Sequence, residues 1–256
     1  PISNGNAPLR GKKGHRHEGG VRVPMMAGWA RQGAGSGFQA GLPVTPGARE
    51  TDLVFAADLM PTMLDVAGVD LLHMVDGHSL IPYLKGEAGT HRPQKLAMHF
   101  PHGHNNKFYS MMYDGPLKLI YNYANQATEL YDLDADLGET TNLIGVRTNE
   151  AVRLRRALIR TLDELGAQFP ELSGGGAVSL SMVPVAGLDL DDDGIADDTE
   201  DANNNGLVDP GETDPDDDDT DGDNTPDGAE RRLGTDPLDM YSTFQAEPER
   251  DGLVWS

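Results

Sequence analysis

"KFYSMMYDGPLKLIYNY" (Lys107–Tyr123) holds two short strand-like runs separated by an Asp114-Gly115 turn, and its reading decides the fold class. Working outward, "KLAMHF" (Lys95–Phe100) precedes it and "ELYDL" (Glu129–Leu133) follows it. Four short strands spaced by turns predict an antiparallel meander. Beyond them a helix is predicted over Asn149–Leu165. Leu154, Leu158, Ile159, Leu162 and Leu165 share one face, Arg153, Arg156 and Arg160 another, and Gly166 ends it. One sheet backed by that helix makes a small α+β layer. Upstream, "VRVPMMAGW" (Val21–Trp29) reads as a short buried strand bounded by Gly19-Gly20. "LMPTMLDVAG" (Leu59–Gly68) reads as a helix with Asp58 as N-cap, Pro61 in the first turn and Gly68 at the close. The first part of the chain is therefore mixed α/β.

Charge divides the 256 residues. Residues 1–187 hold 17 Lys+Arg and 18 Asp+Glu, whereas residues 188–256 hold 3 and 24, so nearly all of the net −22 lies in the last quarter. A field of that sign excludes nucleic acid as partner and calls for counter-cations. There are no cysteines, hence no disulfides and no thiolate zinc site. No apolar run approaches the length of a membrane span. With Pro1 in place of an initiator Met and no signal peptide before it, the sequence reads as a processed or truncated C-terminal portion of something longer. Four regions are expected: residues 1–171, a linker over 172–187 that is flexible at Gly174–Gly176, an acidic string over 188–240, and a tail over 241–256.

The stretch "PLRGKKGHRHEGGVRVP" (Pro8–Pro24) is a glycine-hinged, cation-bearing loop. It resembles the lysine loop of the formylglycine-dependent sulfatases. "DLMPTMLDVAGV" (Asp58–Val69), "DGHSLIPYLKGE" (Asp76–Glu87), "DGPLKLIYNY" (Asp114–Tyr123) and "ELYDLDADLGETTNLI" (Glu129–Ile144) extend the resemblance in order as far as about residue 168. The resemblance implies the C-terminal part of an alkaline-phosphatase/sulfatase-like fold. It also implies that Lys13 contacts sulfate ester oxygens and stabilises the charge developing on them. Lys12 stands where that family usually has glycine. Glu18 and Arg22 are expected to form a buried pair that fixes the loop, and His15 and His17 to be solvent-exposed at its rim. The family's nucleophile sits in Cys- or Ser-x-Pro-x-Arg, which is absent from this sequence, and neither Asn4 nor Asn6 has the adjacent aspartate of the family's calcium pair. By itself this chain is expected to be inactive.

"HFPHGHNNK" (His99–Lys107) has the spacing of imidazole ligands for a transition metal, but no acidic residue or Cys lies near to complete a set. By the family resemblance, His102 and His104 are instead candidates to hydrogen-bond the substrate's leaving group.

The acidic tail carries the strongest pattern. "DLDDDGIADDTE" (Asp189–Glu200) and "DANNNGLVDPGE" (Asp201–Glu212) each fit the calcium-loop spacing D-x-[DN]-x-[DN]-G-x5-E. "DTDGDNTPDGAE" (Asp219–Glu230) fits with Asn224 in the turn-glycine place, tolerable because Asn accepts left-handed dihedrals. A hard divalent cation gathers about 6–8 oxygens, which alternating carboxylates supply. The candidate Ca²⁺ ligands are Asp189, Asp191, Asp193, Asp197 and Glu200; Asp201, Asn203, Asn205, Asp209 and Glu212; and Asp219, Asp221, Asp223, Asp227 and Glu230. The first two loops abut, which leaves no room for EF-hand helices, and the string resembles thrombospondin type 3 repeats. It is expected to be largely unfolded without calcium, because Leu190, Ile195, Leu207 and Val208 are too few to make a core.

The expected whole is an α/β layer, then an irregular calcium-binding string. The resemblance implies a parent that hydrolyses sulfate esters, on a carbohydrate; the calcium loops, of a kind that binds at about 10⁻⁴–10⁻³ M, place it outside the cytoplasm, secreted, extracellular or periplasmic. Two alternatives are a phosphodiester or phosphonate hydrolase of the same superfamily, and a non-catalytic calcium-dependent adhesion or spacer protein.

Overall fold

The computed structural model describes residues 6–29, 44–70, 73, 75–87, 95–104, 107–171, 178 and 180–242; at residues 103, 104 and 107 the description stops at the backbone. Its centre is a four-stranded antiparallel sheet in the order β1 (Lys95–His104), β2 (Lys107–Asp114), β3 (Leu117–Asn122), β4 (Ala127–Asp132). The predicted meander is present, and β1 runs past Phe100 through an irregularity to His104. Register pairs Met112 with Leu119 and Leu119 with Leu130, so these three side chains share a face. That face, with Leu117 and Tyr121, meets the long helix; the opposite face carries Tyr109, Met111, Tyr113, Ile120 and Tyr131. The sheet is covered on both sides, which is why five successive residues of β3, Leu117–Tyr121, are buried.

Short helices precede the sheet: α1 (Glu18–Val21), α2 (Leu59–Ala67) and α3 (Ile81–Lys85). The strand expected over Val21–Trp29 does not form. Val21 ends α1, residues 22–29 have no regular structure, and Val23 and Met26 are exposed. Pro24 interrupts any ladder there, and the glycines before it serve a different end. A Cβ on Gly19 would lie 2.5 Å from the Gly11 carbonyl oxygen, and one on Gly20 would overlap the His15 carbonyl, so Gly19-Gly20 folds the loop back on itself. Asp58 stands at the N-cap of α2, as expected, but its carboxylate turns away from the helix. It accepts from Phe55 N (2.9 Å) and His78 N (2.9 Å). Gly68 closes α2 at φ +67°.

The long helix α4 (Thr148–Glu164) buries Leu154, Leu158, Ile159 and Leu162 against the sheet. Leu165 falls just beyond it and is 73% exposed, because Gly166 at φ +59° turns the chain away. The arginine stripe is not a solvated face. Arg156 is 1% exposed, and the acidic string docks along this stripe. Among the described residues of the expected linker, Val178, Leu180 and Met182 are buried in the same core as α4; Gly174–Gly176 lie outside the described residues. Two further short helices, α5 (Asp197–Glu200) and α6 (Asp227–Leu233), close the first and third acidic loops.

Candidate functional site

Three of the sequence stretches singled out above converge on one buried ammonium. Lys118 of β3 is fully buried and donates to Glu18 (2.9 Å) and to Glu139 (2.8 Å). The Glu18 carboxylate also accepts from Tyr113 (3.0 Å), and Glu139 accepts from the Glu18 backbone N–H (2.6 Å). Glu139 holds left-handed backbone at φ +51°, an uncommon conformation for glutamate that the surrounding bonds over-determine. Arg22, the partner expected for Glu18, is 44% exposed at 3.6 Å, so it contributes at the periphery. The sequence signal for Lys118 and Glu139 lay in "DGPLKLIYNY" and "DLGET"; their pairing with Glu18 spans over a hundred residues and has no local signature.

Around this core the loop is riveted to the sheet. Arg10 donates to Tyr131 (3.0 Å) and to the Glu139 carbonyl (2.7 Å), and Arg16 pairs with Glu129 (2.7 Å). His17, expected at an exposed rim, is instead 5% exposed and 3.3 Å from Glu129. The reason is that it points into the tyrosine-lined face, edge-on to Tyr131. Burial raises the Glu129 carboxyl, but the adjacent His17 ring and the hydrogen-bonded Arg16 guanidinium outweigh it and hold it at about 2. What this frame presents outward is the loop tip, where Lys12 and Lys13 are both exposed between Gly11 (φ +88°) and Gly14 (φ +80°).

The other two stretches clamp each other. Thr62 accepts from Leu80 N (2.9 Å), Ser79 donates to Asp65 (2.6 Å), and a Cβ on Gly77 would overlap the Ala57 carbonyl oxygen.

His102 lies exposed near the end of β1; His104 is placed there by its backbone alone. His99, the first histidine of the run, is committed elsewhere. Its Nδ1 meets Ser110 (2.6 Å), and its Nε2 meets the Gln168 carbonyl (2.8 Å) and so carries the proton. It ties β1 to the chain beyond α4.

The acidic string shows its repeat in the backbone. The fourth and sixth places of each loop are left-handed: Asp192 and Gly194, Asn204 and Gly206, Gly222 and Asn224. The three loops then diverge. In the first, Asp189, Asp191 and Asp193 converge, and buried oxygens of Asp189, Asp191 and Glu200 have no hydrogen-bond partner among the described residues. Burial, reinforced by neighbouring carboxylates against opposing hydrogen bonds, pushes Asp191 up to about 6 and Glu200 up to about 8. Asp197 is not aimed into that group. It accepts from Leu190 N (2.9 Å) and from Arg156 (2.6 Å), because α4 supplies a guanidinium at that point.

The second loop is closed by its own bonds. Asn203 and Asn205 donate to Asp209 (2.8 and 2.7 Å), Asp201 accepts from Asn205 N and Gly206 N, and Glu212 accepts from Ala202 N and Asp209 N. The third loop converges again, through Asp219, Asp221 and Asp223. Both Glu230 oxygens are buried without a partner among the described residues, and burial raises Glu230 and Asp227. Convergent, partly buried carboxylates with unused oxygens fit a hard divalent cation in the first and third loops.

The string is held to the α/β layer by α4. Arg156 bridges Asp197 and Asp216 (2.6 Å each), Arg160 grips Asp214 through two nitrogens (2.6 and 3.1 Å), and Arg153 donates to the Leu190 carbonyl (2.8 Å). Leu190 and Ile195, expected to be too few for a core, are buried, and Leu190 joins the core beneath α4.

Comparison with known proteins places this geometry. Residues 13–168 match the family described as N-sulphoglucosamine sulphohydrolase, C-terminal. Over 153 residues the chain is 34% identical to a sulfatase from Formosa agariphila, covering 54% of this chain and 26% of that protein. It is 30% identical to arylsulfatase K of Xenopus laevis over 61% of this chain and 28% of the relative. It is 28% identical to an N-acetylglucosamine-6-O-sulfatase of Bacteroides thetaiotaomicron, over 50% and 24% respectively. The chain thus spans about a quarter of the length of the curated relatives it matches.

Proposed function

Because the chain belongs to the N-sulphoglucosamine sulphohydrolase C-terminal family, we propose that it is part of a sulfuric ester hydrolase acting on a sulfated carbohydrate, with a calcium-binding spacer at its end. The observation that carries the reading is the Glu18–Lys118–Glu139 core, which locks the lysine loop to the sheet and leaves the Lys12-Lys13 tip as its presented cation. The carbohydrate class draws its support from the family's description and from the aminosugar sulfatase among the relatives.

In this reading residues 1–171 are the sulfatase portion, 172–187 the linker, 188–240 repeats of the thrombospondin type 3 kind, and 241–256 the tail. The Lys13 ammonium sits against sulfate oxygens and offsets the charge that builds there as the ester bond breaks. His102 and His104 donate toward the leaving oxygen. The nucleophile, an aldehyde hydrate in the formylglycine-dependent enzymes that the loop resembles, has no counterpart here, since the chain holds no Cys and no Ser-x-Pro-x-Arg. The calcium ligands are those of the first and third acidic loops, Asp197 excepted because Arg156 holds it, while the second loop's side chains are taken up by its own hydrogen bonds. Calcium loops of extracellular modules work at about 10⁻⁴–10⁻³ M, a concentration found outside the cytoplasm.

The test is made in the full-length parent. Lys13→Ala should lower turnover of a sulfated sugar by about 10²–10³-fold, the usual scale for losing one group that stabilises developing charge, while Lys12→Ala leaves it within a few-fold. Equal effects, or the reverse order, would remove Lys13 from the role.

A further inference from the structure

The calcium-loop spacing treats each acidic loop as a closed unit, with Asp227 as the ninth residue of the third loop. The structure places Asp227 elsewhere. Its carboxylate lies with Asp193 and Glu200 of the first loop, oxygens of all three within 4.8 Å of one another and all three side chains buried. Three of the third loop's other acids, Asp219, Asp221 and Asp223, form a separate group.

Beyond the convergence, one observation points to a ligand and another fixes the spacing of the two loops. Glu200 is fully buried, and its Oε2 has no hydrogen-bond partner among the described residues; its Oε1 accepts from Thr213 (3.0 Å). Second, the backbone is built to hold the two loops at this spacing. Gly228 N donates to Asp193 Oδ2 (2.8 Å), and a Cβ at Gly228 would overlap the Asp193 carbonyl oxygen, so only glycine fits. The remaining donors are few. Asp227 accepts from Thr220 N (3.0 Å) and Thr220 Oγ1 (2.5 Å), and Arg156 is spent on Asp197 and Asp216. Asp193 also accepts from Ile195 N (2.5 Å), so among the described residues these three buried carboxylates share one small volume with only neutral donors, an arrangement that a bound cation would relieve.

We infer that one divalent cation is held jointly by Asp193 and Glu200 of the first loop and Asp227 of the third, clasping the two loops together. The inference rests on the calcium reading of the string but goes beyond it, by taking Asp227 from the third loop's ion and giving it to the first. Carboxylate oxygens alone suit Ca²⁺ over softer metals, whose sites favour nitrogen and sulfur.

The test is the number of calcium ions bound per 256-residue chain after dialysis against about 5 mM calcium chloride, several-fold above the expected range. Glu200→Gln and Asp227→Asn should each lose one ion, and the double variant should lose that same one and no more. A double variant that loses two ions, or Asp227→Asn that loses none, overturns the clasp while leaving the calcium string intact. No calcium on the wild-type chain overturns the string reading itself, and the clasp with it. Hydrogen exchange on the wild type and Glu200→Gln gives a second readout that does not depend on Asp227→Asn folding. Calcium should slow the Thr220 and Gly228 amides in the wild type, and that slowing should vanish in Glu200→Gln, a change made in the other loop. Slowing that persists in Glu200→Gln overturns the clasp.

Discussion

Lys118 is the residue on which the lysine loop depends. Its ammonium is fully enclosed between two carboxylates and lies over the Tyr113 ring. Truncation leaves Glu18 and Glu139 as facing buried anions, so Lys118→Ala should destabilise the chain by about 3–5 kcal/mol, the cost of breaking a buried pair from one side. Denaturant unfolding measures it, and a loss below 1 kcal/mol would show that the pair is not desolvated as described. Glu129 sets a second expectation, in acid. Its folded carboxyl titrates at about 2 against an ordinary 4.5, so its contribution is present above pH 4.5 and is lost as pH falls toward 2. Glu129→Gln should therefore flatten the wild-type loss of stability across that window; an unchanged slope would disconnect Glu129 from His17 and Arg16. None of these pairings was legible beforehand, because each joins residues far apart in sequence. Glu18 alone was singled out as buried, and it was paired with Arg22, its neighbour one helical turn away, whereas its nearest cation is on β3.

Among the elements, the sheet and α4 were the most legible. Strand runs bounded by turns, and leucines at helical spacing, are short-range patterns that burial enforces. The arginine stripe of α4 was legible as residues but not as a surface. Arg153, Arg156 and Arg160 at helical spacing look the same whether they meet water or a second layer, and their acceptors lie 37 to 60 positions onward. That second layer predicts the outcome of Arg156→Ala. Asp197 and Asp216 lose their shared guanidinium, and unfolding stability should fall by about 3–5 kcal/mol, accompanied by faster proteolysis within 188–240 than within the sheet. Uniform cleavage at wild-type rate would mean that the string docks through its apolar residues alone. The expected strand over Val21–Trp29 failed for the complementary reason: valines and methionines around a proline satisfy a strand pattern, yet the loop's glycine packing had already set the chain's course.

For the whole molecule, the split in charge marked the boundary between neutral layer and acidic string, but not that the two share one core. Val178, Leu180, Met182 and Leu190 pack with α4 and the sheet, so calcium bound by the string should stabilise the entire chain. At a free concentration about a hundred times the dissociation constant the gain is about 2.7 kcal/mol per site. It is read as a single thermal transition that moves upward with calcium and downward in chelator. Two transitions, with the sheet's unmoved by chelator, would contradict the shared core. The contact between Gly228 and Asp193 has one more consequence, for how such a string can change over generations. Open repeat arrays lengthen by duplicating a unit, since each copy touches only its neighbours. Here the first copy is bonded to the third, and one arginine spans from Asp197 to Asp216. A twelve-residue unit inserted between the first and third loops would drive those partners apart, so insertions there are disfavoured in a way that open arrays do not impose.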